Sequence, residues 1–259
     1  SYLSRIDVVK MTSEGNSSHV GSCLSCIDIL AVLYKNVLNY DPKNPRSPQR
    51  DIFIMSKGHA GAALYSILAR TGNIDVSLLK THYKNGGYLS GHVNSKLIDS
   101  IEVSSGSLGN GLGIGGGFAY SMKINSQKRR RVFVLISDGE LNEGSTWEAV
   151  LFASHHKLKN LCCILDANNL QSIKSTTETL NVEPLKSKIN SFGWKVEEID
   201  GHNHDEIRSA LKKKNSKPTF IIARTIKGKG VSFMENSTLW HYRNAQGEEF
   251  KKAIKELSE

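Results

Sequence analysis

Long apolar runs are missing from this sequence: none approaches the roughly 20 residues that a membrane-spanning helix requires, so no helical span is expected. The first residues, Ser1 to Lys10, mix polar and apolar side chains without a signal-peptide core. Nothing there marks export, and the expected location is the cytoplasm. Proline is scarce at 5 residues, and Pro42, Pro45 and Pro48 crowd into Asp41–Arg50, a surface loop too short to divide domains. Repeats, low-complexity tracts and linkers are also lacking. Cysteine is limited to 4 residues, in the pairs Cys23/Cys26 and Cys162/Cys163. The C-x-x-C pair has no second pair at zinc-site spacing, because Cys162 and Cys163 lie inside an apolar run. Buried structural thiols in a reducing compartment are the reading. Aromatics make up 7% of the chain and do not interleave with its basic runs, Lys128–Arg131 and Lys212–Lys214. Despite a net charge of +9, these runs read as solvated faces, and no nucleic-acid partner is expected.

What is present is alternation. Five short apolar runs read as strands: Asp51–Met55, Arg131–Ile136, Leu161–Leu165, Val196–Ile199 and Thr219–Ala223. Helical spacing fills Leu24–Leu38, Ala60–Ala69, Ser145–His156 and Asp205–Lys213. Strands that are apolar on both faces, separated by helices, predict one α/β domain over residues 1–259. Its sheet is doubly wound and mostly parallel, with helices on both faces.

Ligands of open parallel sheets bind beyond the carboxyl ends of the strands. The segments that follow the five strands are Ser56-Lys57-Gly58-His59, Ser137-Asp138-Gly139-Glu140, Asp166-Ala167-Asn168-Asn169, Asp200-Gly201-His202 and Arg224-Thr225-Ile226-Lys227-Gly228. Polar, ionisable and glycine residues therefore gather at one edge of the sheet, and that edge is the expected site. The run Lys128–Arg131 falls at the opposite end.

Asp138 and Asn168 end two strands, and a carboxylate with an amide oxygen suits one hard cation. The Leu170 carbonyl is a third donor of the same kind, and Gly139 permits close approach of a phosphate to its backbone N–H. As isolated dipeptides, Asp-Gly and Asn-Asn are equally at home in turns. A rival reading comes from Gly111-Leu112-Gly113-Ile114-Gly115-Gly116, which matches the G-x-G-x-x-G dinucleotide fingerprint with Asp138 ending the next strand. The preceding Ser100–Gly109 is a poor strand, and a helix of small residues packed close to a neighbour explains the glycines as well. Among 9 histidines, His19, His59, His92 and His241 sit beside small or turn residues. Imidazoles in loops suit a polyhydroxylated substrate, because each donates, accepts and moves protons near neutral pH. Ser145-Thr146-Trp147-Glu148 reads as a capping box, whereas Glu143 has no such structural role.

Taken together, the segments Asn16–Gly21, Ser56–Ala60, Gly91-His92, Gly106–Gly111, Asp138–Gly144, Asp166–Asn168 and Thr225–Gly230 resemble the thiamine-diphosphate-binding domain of transketolases. The likeness runs from Gly15 to His241. It implies a thiamine-diphosphate-binding fold and transfer of a two-carbon ketol unit from a ketose, or its phosphate, to an aldose. It also implies thiamine diphosphate with Mg2+, Ca2+ or Mn2+ held by Asp138, Asn168 and the Leu170 carbonyl. Lys57, His59, Gly139, Glu140, Lys227 and His241 would surround the diphosphate, and Gly106, Ser107 and Leu108 the rings. His19, His59, His92 and His241 would face the sugar, with Glu143 in a catalytic role toward the inter-subunit face, where Glu148 would also lie. Departures from the family pattern are Ser137 for a glycine, Val20 for a proline, and Val93-Asn94 after His92.

Transketolases continue into pyrimidine-binding and C-terminal domains, which this chain does not include. The resemblance therefore implies either a two-chain enzyme or a truncated chain. In the former, a C-terminal subunit supplies the pyrimidine domain and its activating glutamate, and the pairs self-associate as α2β2. The chain alone is expected to be inactive. Halves of other thiamine enzymes, a 2-oxo acid dehydrogenase α chain or a deoxyxylulose-phosphate synthase, and a non-catalytic homologue are the alternatives.

Overall fold

The computed structural model describes residues 1–127 and 129–259; Lys128, in the first basic run, lies outside the described residues. Five strands form one sheet: β1 (Ile52–Met55), β2 (Val132–Ser137), β3 (Leu161–Ala167), β4 (Lys195–Asp200) and β5 (Thr219–Arg224). Their order is β1-β2-β3-β5-β4, and every neighbouring pair is parallel, so the sheet is wholly rather than mostly parallel. Each observed strand end falls within two residues of its expected position.

Parallel neighbours require crossovers, and helices supply them. The helices are α1 (Tyr2–Glu14), α2 (Val20–Ser25), α3 (Ile27–Val32), α4 (Gly61–Arg70), α5 (Gly111–Ile124), α6 (Gly144–His155), α7 (Thr176–Leu180), α8 (Leu185–Ser191), α9 (His204–Lys212) and α10 (Gly247–Glu256), of which α4–α9 lie between strands. Alternate strand residues feed two separate cores. Phe53, Phe133, Leu135, Ile164 and Ile221 pack with α1, α3, α4 and α9. Ile54, Val134, Leu165 and Ile222 pack with α5, α6 and α8 on the other face. This period-2 division is why the strands read as continuously apolar: both faces are covered. None of the helices is long and apolar enough to cross a membrane among the described residues.

Two expectations need correction, and both corrections bear on the site. The helix read over Leu24–Leu38 breaks at Cys26 into α2 and α3, and then passes into a π-helical turn at Leu33–Val37. The Ser22 carbonyl, which an unbroken helix would pair with the Cys26 N–H, instead accepts from Lys57 Nζ at 3.0 Å and Ser25 Oγ at 3.1 Å. Competing donors thus pull one carbonyl out of the ladder and kink the helix. The capping box expected at Ser145 does not form: α6 starts at Gly144, and Ser145 Oγ donates to the Gly109 carbonyl instead. Ahead of it, Glu140 reaches back to accept the Ser137 N–H at 3.0 Å at the start of the 3-10 turn Asp138–Asn142.

The glycine-rich segment is α5, with no strand before it, so it is not a dinucleotide loop. A Cβ at Gly115 would strike the Val134 side chain, and one at Gly111 would strike Ser56. Small residues let α5 lie directly on β2. All four cysteines are free and buried, and burial lifts the Cys23 thiol to about 11.

Candidate active site

The carboxyl ends of β1, β2, β3 and β5 converge on a cavity of about 300 Å³. Asp138 stands at the first residue beyond β2 and is only 7% exposed. One of its carboxylate oxygens accepts the backbone N–H groups of Asn168 and Asn169, each at 2.9 Å. Asn169 takes a left-handed φ of 63°, folding the chain so that Leu170 returns toward the cavity. Leu170 N–H donates to Asn168 Oδ1 at 3.2 Å. The Asp138 carboxylate and the Asn168 and Leu170 carbonyl oxygens thus offer an all-oxygen donor set, the chemistry that hard divalent cations take. Burial, and next the neighbouring Asp166 carboxylate, lift the Asp138 carboxyl to about 7 against the pull of its two N–H donors. A carboxylate held so unfavourably gains most from a cation beside it.

Two buried lysines flank this acid. Lys57, fully buried after β1, pairs with Asp166 and donates to the Ser22 carbonyl. Asp166 also accepts from Ser25 and Thr225. This four-membered polar group ties β1, β3, α2 and the segment after β5 into the cavity floor. Asp166 holds the Lys57 ammonium above its ordinary range despite burial. Lys227 follows β5 and has no carboxylate partner among the described residues. Its Nζ donates to the Gln171 carbonyl at 2.8 Å, the Leu170 carbonyl at 3.3 Å and His241 Nδ1 at 3.0 Å. Burial, and next the Lys57 charge, lower it to about 8. An ammonium only donates, so His241 accepts at Nδ1 and carries its proton on Nε2.

The histidines gather beside Lys227 in the same cavity. His19 lies 5.1 Å from His59, 5.9 Å from His92 and 4.8 Å from His241, ring centre to ring centre. His19 sits at the start of α2 with a left-handed φ of 72°, and its N–H donates to the His241 carbonyl at 2.8 Å. Burial lowers His19 to about 4 and His241 to about 3, and neighbouring histidines and the two lysines add to the effect. Burial likewise puts His59 well below its ordinary value. At neutral pH these three rings are uncharged, each with one donor and one acceptor. His19 Nδ1 is buried without a hydrogen-bond partner, so a polar atom is left to be satisfied within this group.

Twelve residues singled out from the sequence line this one cavity: His19, Lys57, His59, His92, Gly106, Leu108, Asp138, Gly139, Asn168, Leu170, Lys227 and His241. Ser107 lines a neighbouring cavity with Gly106. Glu140 lies behind the wall, fully buried, accepting from the Ser137 and Gly109 N–H groups and from Ser56. Glu143 is exposed at the N-terminal end of α6, outside the cavity. Ser22, Gln171, Ser172 and Tyr242 line the cavity without having been singled out, and Asp166 holds its floor. In the sequence Asp166 stands at the end of the third strand with no role assigned to it. Gln171 and Tyr242 carried no signal.

The sequence profile described as "Transketolase, thiamine diphosphate binding domain" matches residues 2–257. The chain belongs to this family. It is 39% identical to one of the named subunits of the apulose-4-phosphate transketolase of Actinobacillus succinogenes, covering 97% of this chain and 92% of that one. It is 40% identical to the 6-deoxy-6-sulfo-D-fructose transketolase subunit SqwG of a Clostridium species, covering 92% of this chain and 88% of the relative. The Campylobacter jejuni transketolase structure superimposes with a TM-score of 0.92 at 32% identity over 98% of this chain. This chain spans 41% of that longer transketolase and 38% of human transketolase. It is thus of the N-terminal, thiamine-diphosphate-binding type, at the length of the subunit relatives.

Proposed function

We propose that this domain serves as the thiamine-diphosphate-binding subunit of a two-chain transketolase, moving a two-carbon ketol unit from a ketose to an aldose. The observation that carries the reading is one cavity lined both by neutral imidazoles and by the Asp138, Asn168 and Leu170 oxygens. A sugar offers vicinal hydroxyls and a carbonyl, and uncharged imidazoles answer both without desolvating a charge. Bound thiamine diphosphate supplies the nucleophilic and electron-accepting chemistry of carbon–carbon cleavage.

The chain's own contributions follow from its side chains. Asp138, Asn168 and the Leu170 carbonyl would hold Mg2+ or a like cation. Lys227, freed of carboxylates, would neutralise a diphosphate oxygen; Lys57 supports the same region from below through Asp166. Gly139, Gly106 and Leu108 leave room for the cofactor against the wall, and Glu140 would steady that wall through Gly109. His19, His59, His92 and His241 would orient the sugar and exchange protons with its hydroxyl and carbonyl oxygens. Glu143 and Glu148, both exposed, would face another subunit.

A partner chain carrying the pyrimidine domain and its activating glutamate would complete each site, within an α2β2 assembly in the cytoplasm. The two relatives are named for a sugar phosphate and a sulfo-sugar, which supports an anionic sugar as the substrate class. The test is ketol transfer assayed with this chain, the partner, or both, with thiamine diphosphate and Mg2+. Activity in the mixture alone, abolished in Asp138→Ala, is expected. Cofactor binding in the mixture without transfer from any ketose phosphate would favour a half of another thiamine enzyme. Failure to bind the cofactor under any condition would leave only a non-catalytic module.

A further inference from the structure

The other end of the sheet carries a second, larger cavity, of about 470 Å³. It opens where β2, β3 and β5 begin, opposite the site above. Three stretches separate in sequence build it: the residues before β2, the α6–β3 turn, and the segment before β5. Arg129, Arg130, Arg131, Lys157, Lys159 and Lys214 line it, with Lys123 beside them. In a chain of net charge +9, these seven cations are gathered around one concavity. No carboxylate pairs with any of them among the described residues. The nearest acids are engaged elsewhere: Asp51 accepts backbone N–H groups of Asn39 and Arg131, Glu102 pairs with Arg50, and Glu197 pairs with Lys213.

Some of this charge has an ordinary explanation. Helices α5, α6 and α9 end at this edge, and cations stabilise helix carboxyl ends by about 0.3–1 kcal/mol each. Lys123 Nζ donates to the His156 carbonyl at 2.6 Å, and Arg131 Nη1 to the Leu211 carbonyl at 2.6 Å. Arg131 also lies 4.5 Å from the centre of the Phe133 ring. Arg130 donates to the Arg50 carbonyl and to Gln127. Those bonds account for three cations. The side chains of Arg129, Lys157, Lys159 and Lys214 make no hydrogen bond or ion pair among the described residues, and each adds repulsion to its neighbours. Four such cations around a concavity of ligand size form an anion subsite, since small-molecule sites span roughly 300–1,000 Å³. A flat face would fit a nucleic-acid backbone; a concavity lined from several segments fits a compact anion.

We propose that this cavity is a second binding site, for an oligophosphate: a small molecule bearing two or more linked phosphates, whether inorganic, on a nucleoside or on a sugar. The Arg129 fork would take phosphate oxygens in a pair, and the flexible Lys157, Lys159 and Lys214 would close around the remaining charge. The site is independent of the thiamine diphosphate reading, because no side chain is shared between the two cavities.

The test is titration calorimetry on the full protein at about 150 mM salt, where loose ion atmosphere is screened, with no added metal. Inorganic tripolyphosphate, ATP and orthophosphate are the probes. Saturable tripolyphosphate binding, at least tenfold tighter than orthophosphate, is expected. The variant Arg129→Ala/Lys159→Ala/Lys214→Ala should weaken it at least tenfold with an unchanged melting midpoint, whereas Lys227→Met, in the other cavity, should retain it. ATP binding tighter than tripolyphosphate would assign the nucleoside source, and equal binding the phosphate chain itself. Equal affinities in wild type and the triple variant would overturn the site. So would loss of binding in Lys227→Met alone, or binding of a single-stranded oligonucleotide in place of tripolyphosphate.

Discussion

The two ends of the sheet hold similar charges in opposite ways. At the carboxyl end, Lys57, Lys227, Asp138, Asp166 and Glu140 are all buried, and nearly every polar atom is tied to another. At the amino end, Lys157, Lys159 and Lys214 stand in solvent without partners among the described residues. Burial makes the first group costly to disturb and sensitive to pH, because a charge out of water must be paired or neutralised. Exposure leaves the second group nearly free of consequence for folding and available to a ligand. Within the carboxyl end the two lysines repeat the contrast: Asp166 stabilises Lys57 as a cation, whereas Lys227 has only neutral acceptors.

The largest effect is expected from breaking the buried pair. Asp166→Asn leaves the Lys57 ammonium in the floor without its carboxylate and should lower unfolding free energy by about 3–5 kcal/mol, measured by urea denaturation. Lys57→Met/Asp166→Leu removes both charges and should recover part of that loss; a double variant worse than either single one would contradict the pairing.

Next comes pH. His82, buried outside the site within 3.1 Å of Ser17 Oγ, and His19 fall to about 4 when folded, His241 to about 3, each chiefly by burial, whereas an unfolded histidine titrates near 6.5. Lowered values mean that the unfolded chain takes up protons first as pH drops. Their stabilisation is therefore complete above about 6.5 and is lost progressively toward about 4. The Asp138 carboxyl, lifted to about 7, opposes this because the folded chain takes up that proton first; without cofactor the net loss from pH 7 to pH 5 should be about 2–4 kcal/mol. His82→Gln should make that loss shallower, and an unchanged slope would remove His82 from the explanation.

Lys227→Met should change stability by less than about 1 kcal/mol, because burial already disfavours its charge, while weakening thiamine diphosphate binding about tenfold or more. Smallest of all, Arg129→Ala/Lys159→Ala/Lys214→Ala should leave unfolding free energy within about 0.5 kcal/mol, as for other exposed sites. A larger loss would mean that these cations serve the fold rather than a ligand.

Legibility in the sequence divides along the same line. Strand ends were readable because apolar runs covered on both faces stop abruptly at polar residues, so Lys57, Asp138, Asn168 and Lys227 could be placed at one edge from the residues alone. The convergence of His19, His92 and His241 was not readable from spacing, since it depends on where α2 and two loops return; the family resemblance supplied it. The kink at Cys26 escaped because its cause, Lys57 and Ser25 competing for the Ser22 carbonyl, lies partly on another element. The Ser145 capping box failed because the hydroxyl found the Gly109 carbonyl, a partner distant in sequence. The basic runs read as ordinary solvated faces because nothing local says that Arg129, Lys159 and Lys214 surround one cavity.

The most direct test of the site is calorimetric titration of thiamine diphosphate into this chain with its partner, with and without Mg2+, in wild type and Asp138→Ala. Saturable binding that requires the metal and disappears in Asp138→Ala is the expected result. Binding that needs no metal, or that survives Asp138→Ala unchanged, would contradict the assignment of Asp138, Asn168 and Leu170 as the donors on which the cofactor depends.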